Sequence, residues 1–443
     1  MPRFKILALS LLLTGLTLSA APKKKTRTVV DPQNTIRTEI AAVPERSGGI
    51  YYAYPSVADS LPPVPDGYVP VAISHYGRHG SRWVIKPKIY DESLEALRKA
   101  QESGNLLPEG ESAMKSIETA YGHAKGHFGE LSPVGQRQHR AIARRMASRF
   151  PSLFEGNAKV TARSSEVPRC IISMASFLNE LTRMNPQTDV AMQSSPGEME
   201  IIALDIPAEK KHLMVDHSAD PKRVRFYMGA RDSLTRSLTT ASRLFKDPAK
   251  VKNLPSVMRD IYDVAIDVQD VVGLEIDLFH LFDQEDLYNQ WKSNNYNHYM
   301  DHSNLAETWS AGPYSAIPLV TDIVERADLS LSGQAAPVDL RFGHDTVLMR
   351  LLALIGAENA GGNLGDNLEK VTAQYQNFKL SPMGANLQFA FFRNADGNTI
   401  VSVRLNEQPL KINGLSEVFP GYYSWSDLRS HLMKAAQSAP SLN

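Results

Sequence analysis

The chain has 443 residues, of which 42% are hydrophobic and 22% are charged, and its 48 basic residues balance its 48 acidic residues. This length exceeds one compact core of ordinary size, so it predicts two domains or one domain with a large insertion. The balanced charge argues against nucleic acid or a membrane surface as partner, so any site for an anion must be local.

The N-terminus has the pattern of a secretory signal peptide. A short basic stretch, MPRFK, precedes an apolar run over residues 6–18, and small residues follow near Ala20 and Ala21. The run is too short to span a bilayer as a helix, and we expect no membrane span elsewhere. Residues 1–21 therefore predict an exported protein, secreted or periplasmic. The single cysteine, Cys170, predicts a fold without disulfides.

Residues 22–65 are predicted to be an N-terminal arm without helix, because prolines are frequent there. The α/β core is expected to begin at residue 66. Residues 68–74, YVPVAIS, are typical of a buried strand, and the turn RHGSR follows shortly after it. A predicted helix comes next, with Ser132 as its N-cap and Pro133 at its first position.

The order of strand, turn and helix recurs twice further along the chain. Residues 158–165 are a predicted strand before a helix over residues 166–181, and residues 336–343 are a strand before a helix over residues 344–356. Residues 386–406 predict a β-hairpin. Strands that alternate with helices predict an α/β fold with a mostly parallel sheet flanked by helices.

The strand signal fades over residues 195–330, where segments with helical spacing predict a mainly helical insertion. The α/β core would then comprise residues 66–194 and 331–443. The insertion contains a group of arginines, Arg223, Arg225, Arg231 and Arg236. The simplest interpretation of this group is a solvated helix face, and the alternative is a set of extra contacts to a substrate with several phosphates.

The three strand-to-helix turns carry cationic or titratable side chains. These are Arg78, His79 and Arg82 in the first, Arg163 and Arg169 around the second, and His344 and Asp345 in the third. Ligands of open α/β sheets bind at the carboxyl ends of strands, near helix N-termini that favour anions. The three turns therefore predict a site for a phosphate-sized anion. Either Arg163 or Arg169 can belong to it, and the residue pattern alone leaves that choice open.

The residue types at this site predict phosphoryl transfer. An imidazole among guanidiniums has a lowered pKa, so His79 is expected to be neutral and nucleophilic. Each arginine can hold two phosphoryl oxygens and stabilise the charge that develops on them. A bound anion pushes a neighbouring aspartate towards its protonated form, so Asp345 can donate a proton to a leaving oxygen.

Four segments carry a resemblance to a known family. They are RHGSR over residues 78–82, GELSPVGQRQH over residues 129–139, ARSSEVPRCIISM over residues 162–174 and GHDT over residues 343–346. In this order they resemble the histidine acid phosphatases, the second branch of the histidine phosphatase superfamily, and look most like bacterial relatives of the multiple inositol polyphosphate phosphatases.

The resemblance implies a role for each matching residue. His79 would be the nucleophile that forms a phosphohistidine, and Asp345 would be the proton donor. The phosphate would be held by Arg78, Arg82, Arg169 and His344. The resemblance implies that neither a metal nor another cofactor is needed.

The function implied is an exported histidine acid phosphatase that hydrolyses phosphate monoesters, with inositol polyphosphates such as phytate, or sugar phosphates, as substrates. Two alternatives stay open at this point. One is a mutase-like enzyme of the other branch of the superfamily. The other is a periplasmic protein that binds phosphate esters without hydrolysing them, although such a protein would be marked by loss of His79 or Asp345, and both are present.

Other conspicuous residues receive structural interpretations. Two pairs of histidines have helical spacing: His123 with His127, and His298 with His302, with Asp301 between the latter two. All four are expected to be surface or capping residues rather than metal ligands. Cys170 is expected to be a core residue. The aromatic residues of the insertion, Trp291, Tyr296 and Tyr299, are expected to pack in the interior.

Overall fold

The computed structural model describes residues 32–55, 61–204, 238–269, 274–305, 312–362, 364–365 and 367–438. The predicted signal peptide, residues 1–21, and the four arginines of the insertion lie outside these ranges. Within the ranges, no helix combines the length and the apolar character that crossing a membrane requires.

One mixed sheet organises the chain. Its strands are β1 Val69–Arg78, β2 Lys159–Ser164, β3 Asp189–Ser194, β4 Val338–Gly343, β5 Asn386–Arg393, β6 Thr399–Leu405, β7 Gln408–Pro409 and β8 Tyr423–Ser424. Their spatial order is β3-β2-β4-β1-β5-β6-β7, and β8 also pairs with β6. Strands β1 to β4 pair in parallel. Strand β5 pairs antiparallel with β1, and β6 pairs antiparallel with β5, β7 and β8. The predicted α/β class is confirmed, and the sheet is mixed because the predicted hairpin, β5 and β6, extends the parallel half directly.

Helices cover both faces of the sheet. They are α1 Pro32–Ala42, α2 Lys88–Glu102, α3 Pro108–Ala124, α4 Pro133–Arg149, α5 Pro151–Phe154, α6 Pro168–Met184, α7 Pro196–Glu198, α8 Leu238–Leu244, α9 Leu254–Val268, α10 Gln284–His298, α11 Ile317–Leu331, α12 Asp345–Leu354, α13 Leu368–Gln374, α14 Asn377–Leu380 and α15 Trp425–Ala436. Shorter helical turns lie at Pro44–Tyr51, Met199–Ala203, Pro248–Lys250, Phe279–Leu281, Tyr299–Ser303 and Pro313–Ala316.

Helix α1 corrects the prediction that residues 22–65 lack helix. Its first residue is Pro32, and a proline is tolerated at that position because the N–H that it lacks would have no partner within the helix. Ile36 and Ile40, four residues apart, are both buried. The arm is therefore anchored by an amphipathic helix, which its proline content concealed.

Three apolar clusters stabilise this arrangement. On one face of the sheet α4 and α6 pack against the strands through residues such as Phe177 and Phe342. On the other face α11, α12 and α15 pack around Leu348. The third cluster joins α2 and α3 to α9 and α10 around Ile261 and Trp291. Much of the predicted insertion thus packs with α2 and α3, whereas α11 lies against the sheet; the domain boundaries stay a prediction.

The structural interpretations of the single cysteine and of the insertion's aromatic residues are confirmed. Cys170 is buried, and so are Trp291, Tyr296 and Tyr299. All six residues of β4 are buried as well, as expected for a central parallel strand that is covered on both faces. The carboxyl end of β4 is consequently held in a rigid interior, and the turn that follows it starts from a fixed position.

Candidate active site

The carboxyl ends of β1 and β4 lie side by side at the centre of the sheet. Arg78, the last residue of β1, is in register with Gly343, the last residue of β4. The backbone N–H of His79 donates to the Gly343 carbonyl at 2.9 Å. The imidazole rings of His79 and His344 are 5.8 Å apart between centroids. Parallel pairing therefore brings the first and third predicted turns together.

Two glycines hold the RHGSR turn against the start of α4. A β-carbon on Gly80 would lie 2.6 Å from the Cα of Gly135, and one on Gly135 would lie 2.3 Å from the carbonyl oxygen of Ser81. The hydroxyl of Ser132, the N-cap of α4, accepts from the Gly135 N–H at 3.3 Å and donates to the Ser81 carbonyl at 3.0 Å. The backbones approach so closely that no side chain fits, which explains the glycines in RHGSR and in SPVGQ.

His79 is buried, and its hydrogen bond shows which ring nitrogen carries the proton. Its Nδ1 lies 2.9 Å from the carbonyl oxygen of Gly80. Because a carbonyl oxygen accepts and cannot donate, Nδ1 carries the proton and Nε2 keeps its lone pair. Burial lowers the pKa of His79 well below its usual 6.5, and the guanidiniums of Arg78, Arg169 and Arg82 lower it further. The ring is a neutral imidazole whose Nε2 can attack an electrophile.

Arg78 is the most enclosed of the three guanidiniums. It is fully buried and donates through Nη1 to the carbonyl oxygens of Ile50 and Ser381. Its Nη2 lies 3.4 Å from the carboxylate of Asp345. Because backbone carbonyls have no net charge, they orient this guanidinium without neutralising it. Most of its positive charge is therefore available to a ligand.

Arg82 and Arg169 supply donors that the protein does not use. Arg82 donates to the Trp83 carbonyl at 2.9 Å, and its Nη2 lies 3.4 Å from the hydroxyl of Tyr51. The Nε atoms of both arginines are buried and have no hydrogen-bond partner among the described residues. Burial lowers the pKa of Arg169, and the charge of Arg82 lowers it too. Two neighbouring cations with unused donors favour a bound anion.

Arg163, the other candidate in the second turn, belongs to a different cluster. Its guanidinium is buried and lies 2.7 Å from Asp322, 3.0 Å from Glu198 and 3.7 Å from Asp339. Its charge is thus matched by carboxylates of the protein itself. Of the two arginines that the sequence left open, Arg169 is the one whose charge acts on His79.

His344 and Asp345 stand at the start of α12, where helix N–H groups favour an anion. The Nε2 of His344 lies 3.1 Å from the Ser165 hydroxyl and 3.7 Å from the Cys170 thiol. Burial lowers the pKa of His344 to about 4, and Arg169 contributes to that shift. The ring is therefore neutral near pH 7 and has one N–H to donate.

Burial raises the pKa of the Asp345 carboxyl, but the Arg78 guanidinium lowers it, and the net pKa is below its usual value. In the site without a ligand, Asp345 is therefore ionised. The predicted protonated form depends on a bound phosphate, whose negative charge would raise the carboxyl pKa.

Several residues at the site were missed by the sequence analysis. Tyr51 and the Ile50 carbonyl come from the arm, and the Ser381 carbonyl comes from the turn after α14. His298 is half-buried within electrostatic reach of Asp345 and Arg78, so its interpretation as a surface or capping residue is wrong. Its helical spacing to His302 was the one signal that pointed to it.

The other histidine pair fits its interpretation. His123 and His127 are exposed, and His127 contacts Glu130 at 2.9 Å and stacks on Trp83 with ring centroids 5.6 Å apart. In the described part of the chain, no three His, Cys, Asp or Glu side chains are grouped so that they could hold a metal ion.

A neutral histidine among guanidiniums, at the carboxyl edge of an α/β sheet, is the arrangement expected of a phosphatase that works through histidine. The chain belongs to the histidine phosphatase superfamily (branch 2), which it matches over residues 77–406. It is 23% identical to multiple inositol polyphosphate phosphatase 1 of Gallus gallus over 334 residues, 70% of each chain.

Solved structures of related fold are known. The fold is similar to that of the multiple inositol polyphosphate phosphatase of Bifidobacterium longum, with a TM-score of 0.70 and 17% identity over 87% of this chain and 97% of that one. It is also similar to the phytase from D. castellii, with a TM-score of 0.69 and 13% identity over 95% of this chain and 91% of that one. The predicted family, fold class and enzyme class, a phosphoric monoester hydrolase, are confirmed.

Proposed function

We propose that the protein is an exported phosphatase that hydrolyses phosphate monoesters through a phosphohistidine at His79. The substrates proposed are inositol polyphosphates such as phytate, or sugar phosphates. The observation that carries the proposal is a buried, neutral His79 whose Nε2 is available among three guanidiniums. Within the described ranges, one carboxylate contacts these three guanidiniums: that of Asp345, which lies beside Arg78.

In the first half of the reaction, Nε2 of His79 attacks phosphorus, forming an N–P bond as the P–O bond to the alcohol breaks. The arginines and the His344 ring hold the non-bridging oxygens and stabilise their charge. Asp345, protonated once the phosphate is bound, gives its proton to the leaving oxygen. This proton transfer is needed most when the leaving group is a poor one, such as an alkoxide.

In the second half, water attacks phosphorus and the N–P bond breaks. The Asp345 carboxylate accepts the proton of the attacking water, so the same group acts as acid and then as base. Inorganic phosphate leaves, and His79 returns to its neutral form with the Nδ1 proton still directed at the Gly80 carbonyl. The cycle balances in protons and needs no redox step.

The substrate class and the export are supported by different observations. The curated relative is named as an inositol polyphosphate phosphatase, and the solved relatives as an inositol polyphosphate phosphatase and a phytase. Export is supported by the basic, apolar and small-residue pattern over residues 1–21.

The test is an assay of phosphate release from p-nitrophenyl phosphate, a hexose phosphate and phytate, at acidic pH and with EDTA present. Release that survives EDTA, together with an acid-quenched phosphoprotein whose label maps to His79, is the expected result. Binding without release would favour the non-enzymatic alternative. Transfer of the phosphoryl group within the substrate, without free phosphate, would favour the mutase-like alternative.

A further inference from the structure

A cavity of about 230 Å³ adjoins the phosphate site. It shares two walls with that site, Tyr51 and His298: the Tyr51 hydroxyl lies 3.4 Å from Nη2 of Arg82, and His298 is within electrostatic reach of Asp345. Since a water molecule occupies about 30 Å³ in the liquid, the cavity has room for a fragment of several carbon and oxygen atoms. The organic part of a substrate whose phosphate lies on His79 can extend into it.

One wall of the cavity carries a buried acceptor that lacks a donor. Asp267, near the end of α9, is 2% exposed and lines the cavity. Its Oδ2 accepts from the Tyr90 hydroxyl at 2.8 Å. The Val84 backbone lies near enough to lower the carboxyl pKa, but Oδ1 has no partner at hydrogen-bond geometry in the described ranges. A second carboxylate, Asp263, lies one turn earlier on α9 and lines the same cavity. A buried carboxylate oxygen without a donor is costly, so this wall favours a ligand that brings hydrogen-bond donors.

On the wall formed by α10, the His298 ring offers a hydrogen-bond donor, and its contacts define which ring nitrogen carries the proton. The indole N–H of Trp291 donates to Oδ1 of Asn377 at 3.0 Å, which orients the amide, and Nδ2 of Asn377 then donates to Nδ1 of His298 at 2.8 Å. Because Nδ1 is an acceptor here, the proton of the neutral His298 ring lies on Nε2. Burial lowers the pKa of His298 to about 4, which keeps the ring neutral.

The backbone beside Asn377 is shaped for this arrangement. Gly49 has a φ of +60°, and a β-carbon there would lie 2.8 Å from Nδ2 of Asn377. The amide therefore has space only because residue 49 has no side chain. A further polar residue of the cavity, Asn294, adds an amide that both donates and accepts.

We propose that this cavity binds the hydroxyl-bearing part of a polyol or sugar phosphate, beside the phosphoryl group that His79 attacks. The inference rests on the proposed function and narrows its substrates to phosphate esters that keep free hydroxyls. A hydroxyl can donate to the carboxylates of Asp263 and Asp267 and accept from the His298 N–H. Burial raises the pKa of the Asp267 carboxyl to about 6. Above that pH a second phosphate in the cavity would lie against two carboxylates, and like charges repel. Fully phosphorylated inositol is thus a poorer substrate than a partly dephosphorylated one or a sugar phosphate.

The test measures kcat/KM for a hexose phosphate, p-nitrophenyl phosphate and phytate in two variants at pH 7, where Asp267 is ionised. Asp267→Leu removes the unpaired acceptor, so the ratio of hexose phosphate to p-nitrophenyl phosphate should fall about tenfold, mainly through KM. Asp263→Asn combined with Asp267→Asn removes both charges but keeps acceptors, so the ratio of phytate to hexose phosphate should rise severalfold. Asp260→Asn, which changes a buried carboxyl of α9 that does not line the cavity, is the control and should leave both ratios as they are.

The proposal is overturned if neither ratio changes in the Asp263 and Asp267 variants, or if Asp260→Asn changes them equally. Failure of the proposed function is a separate result, since then the unaltered protein hydrolyses none of the three substrates. In that case free myo-inositol still tests the cavity. It should raise the melting temperature of the unaltered protein and not that of Asp267→Leu, and equal shifts, or none, overturn the proposal.

Discussion

Two clusters of arginines lie in or beside neighbouring strands of the sheet, and they differ in how many carboxylates surround them. In the first, which we call the paired cluster, Arg163 on β2 and Arg341 on β4 share the carboxylates of Asp322 and Asp339, and Glu198 adds a third carboxylate to Arg163. Its charges cancel within the protein. The paired cluster therefore has no need of a ligand, and removing one of its members would leave a buried charge uncompensated.

The second, which we call the anion cluster, consists of Arg78, Arg82 and Arg169 around His79, with Asp345 as the carboxylate that contacts it. Positive charge is in excess here, and an anionic substrate can offset it. The comparison shows that burial alone does not distinguish a structural arginine from a binding one. The number of carboxylates within reach does, because they decide whether the remaining charge is balanced by the protein or by a ligand.

Replacing the nucleophile should have the largest effect. We expect His79→Ala to lower kcat/KM for p-nitrophenyl phosphate by at least ~10⁴-fold, because the covalent route is lost. Phosphate release measures this, and an unchanged melting temperature would show that the variant is folded. Turnover close to that of the unaltered protein would contradict the role of His79 in the anion cluster.

Replacing the proton donor should separate substrates by their leaving groups. Asp345→Asn should lower turnover of a hexose phosphate by about 10²–10⁴-fold, and that of p-nitrophenyl phosphate by much less, since p-nitrophenolate leaves without a proton. The measurement is kcat for the two substrates side by side. Equal losses on both would assign Asp345 to phosphate positioning instead.

Breaking the paired cluster should reduce stability. Arg163→Ala leaves Asp322, Asp339 and Glu198 with one cation fewer, so the free energy of unfolding should fall by about 3–5 kcal/mol. Denaturant unfolding followed by circular dichroism measures it. If the variant kept its stability and lost activity instead, the assignment of Arg163 to a structural cluster would be wrong.

The matched variant in the anion cluster should behave in the opposite way. Arg169→Ala should lower kcat/KM by about 10²–10³-fold, the loss typical of one donor to a transition-state oxygen. Its free energy of unfolding should stay the same or rise, since the variant relieves repulsion between buried guanidiniums. A decrease in the free energy of unfolding as large as that of Arg163→Ala would contradict the proposed difference between the two clusters.

The pH dependence should show the smallest effect. The folded pKa of His79 lies below 6.5, so the nucleophile stays neutral as the pH falls below 6.5 and is protonated only at a lower pH. The acid limb of kcat/KM should therefore lie below 6.5. In Arg169→Ala the limb should move upward, by up to about one pH unit, because one cation beside the imidazole is gone. A limb at 6.5 in both proteins would mean that the guanidiniums do not act on His79.

The sequence alone determined the local chemistry of this protein. RHGSR, SPVGQ and GHDT are short stretches in which strand, turn and helix follow from neighbouring residues, and so does the position of His79 at a strand end. Only the tertiary structure decided between Arg163 and Arg169, brought Tyr51 and His298 to the site, and left Asp345 ionised without a ligand. The physical reason is that charge balance depends on which carboxylates lie within a few ångströms, and Asp322 reaches Arg163 through the packing of α11 on the sheet. No pattern in neighbouring residues records that distance.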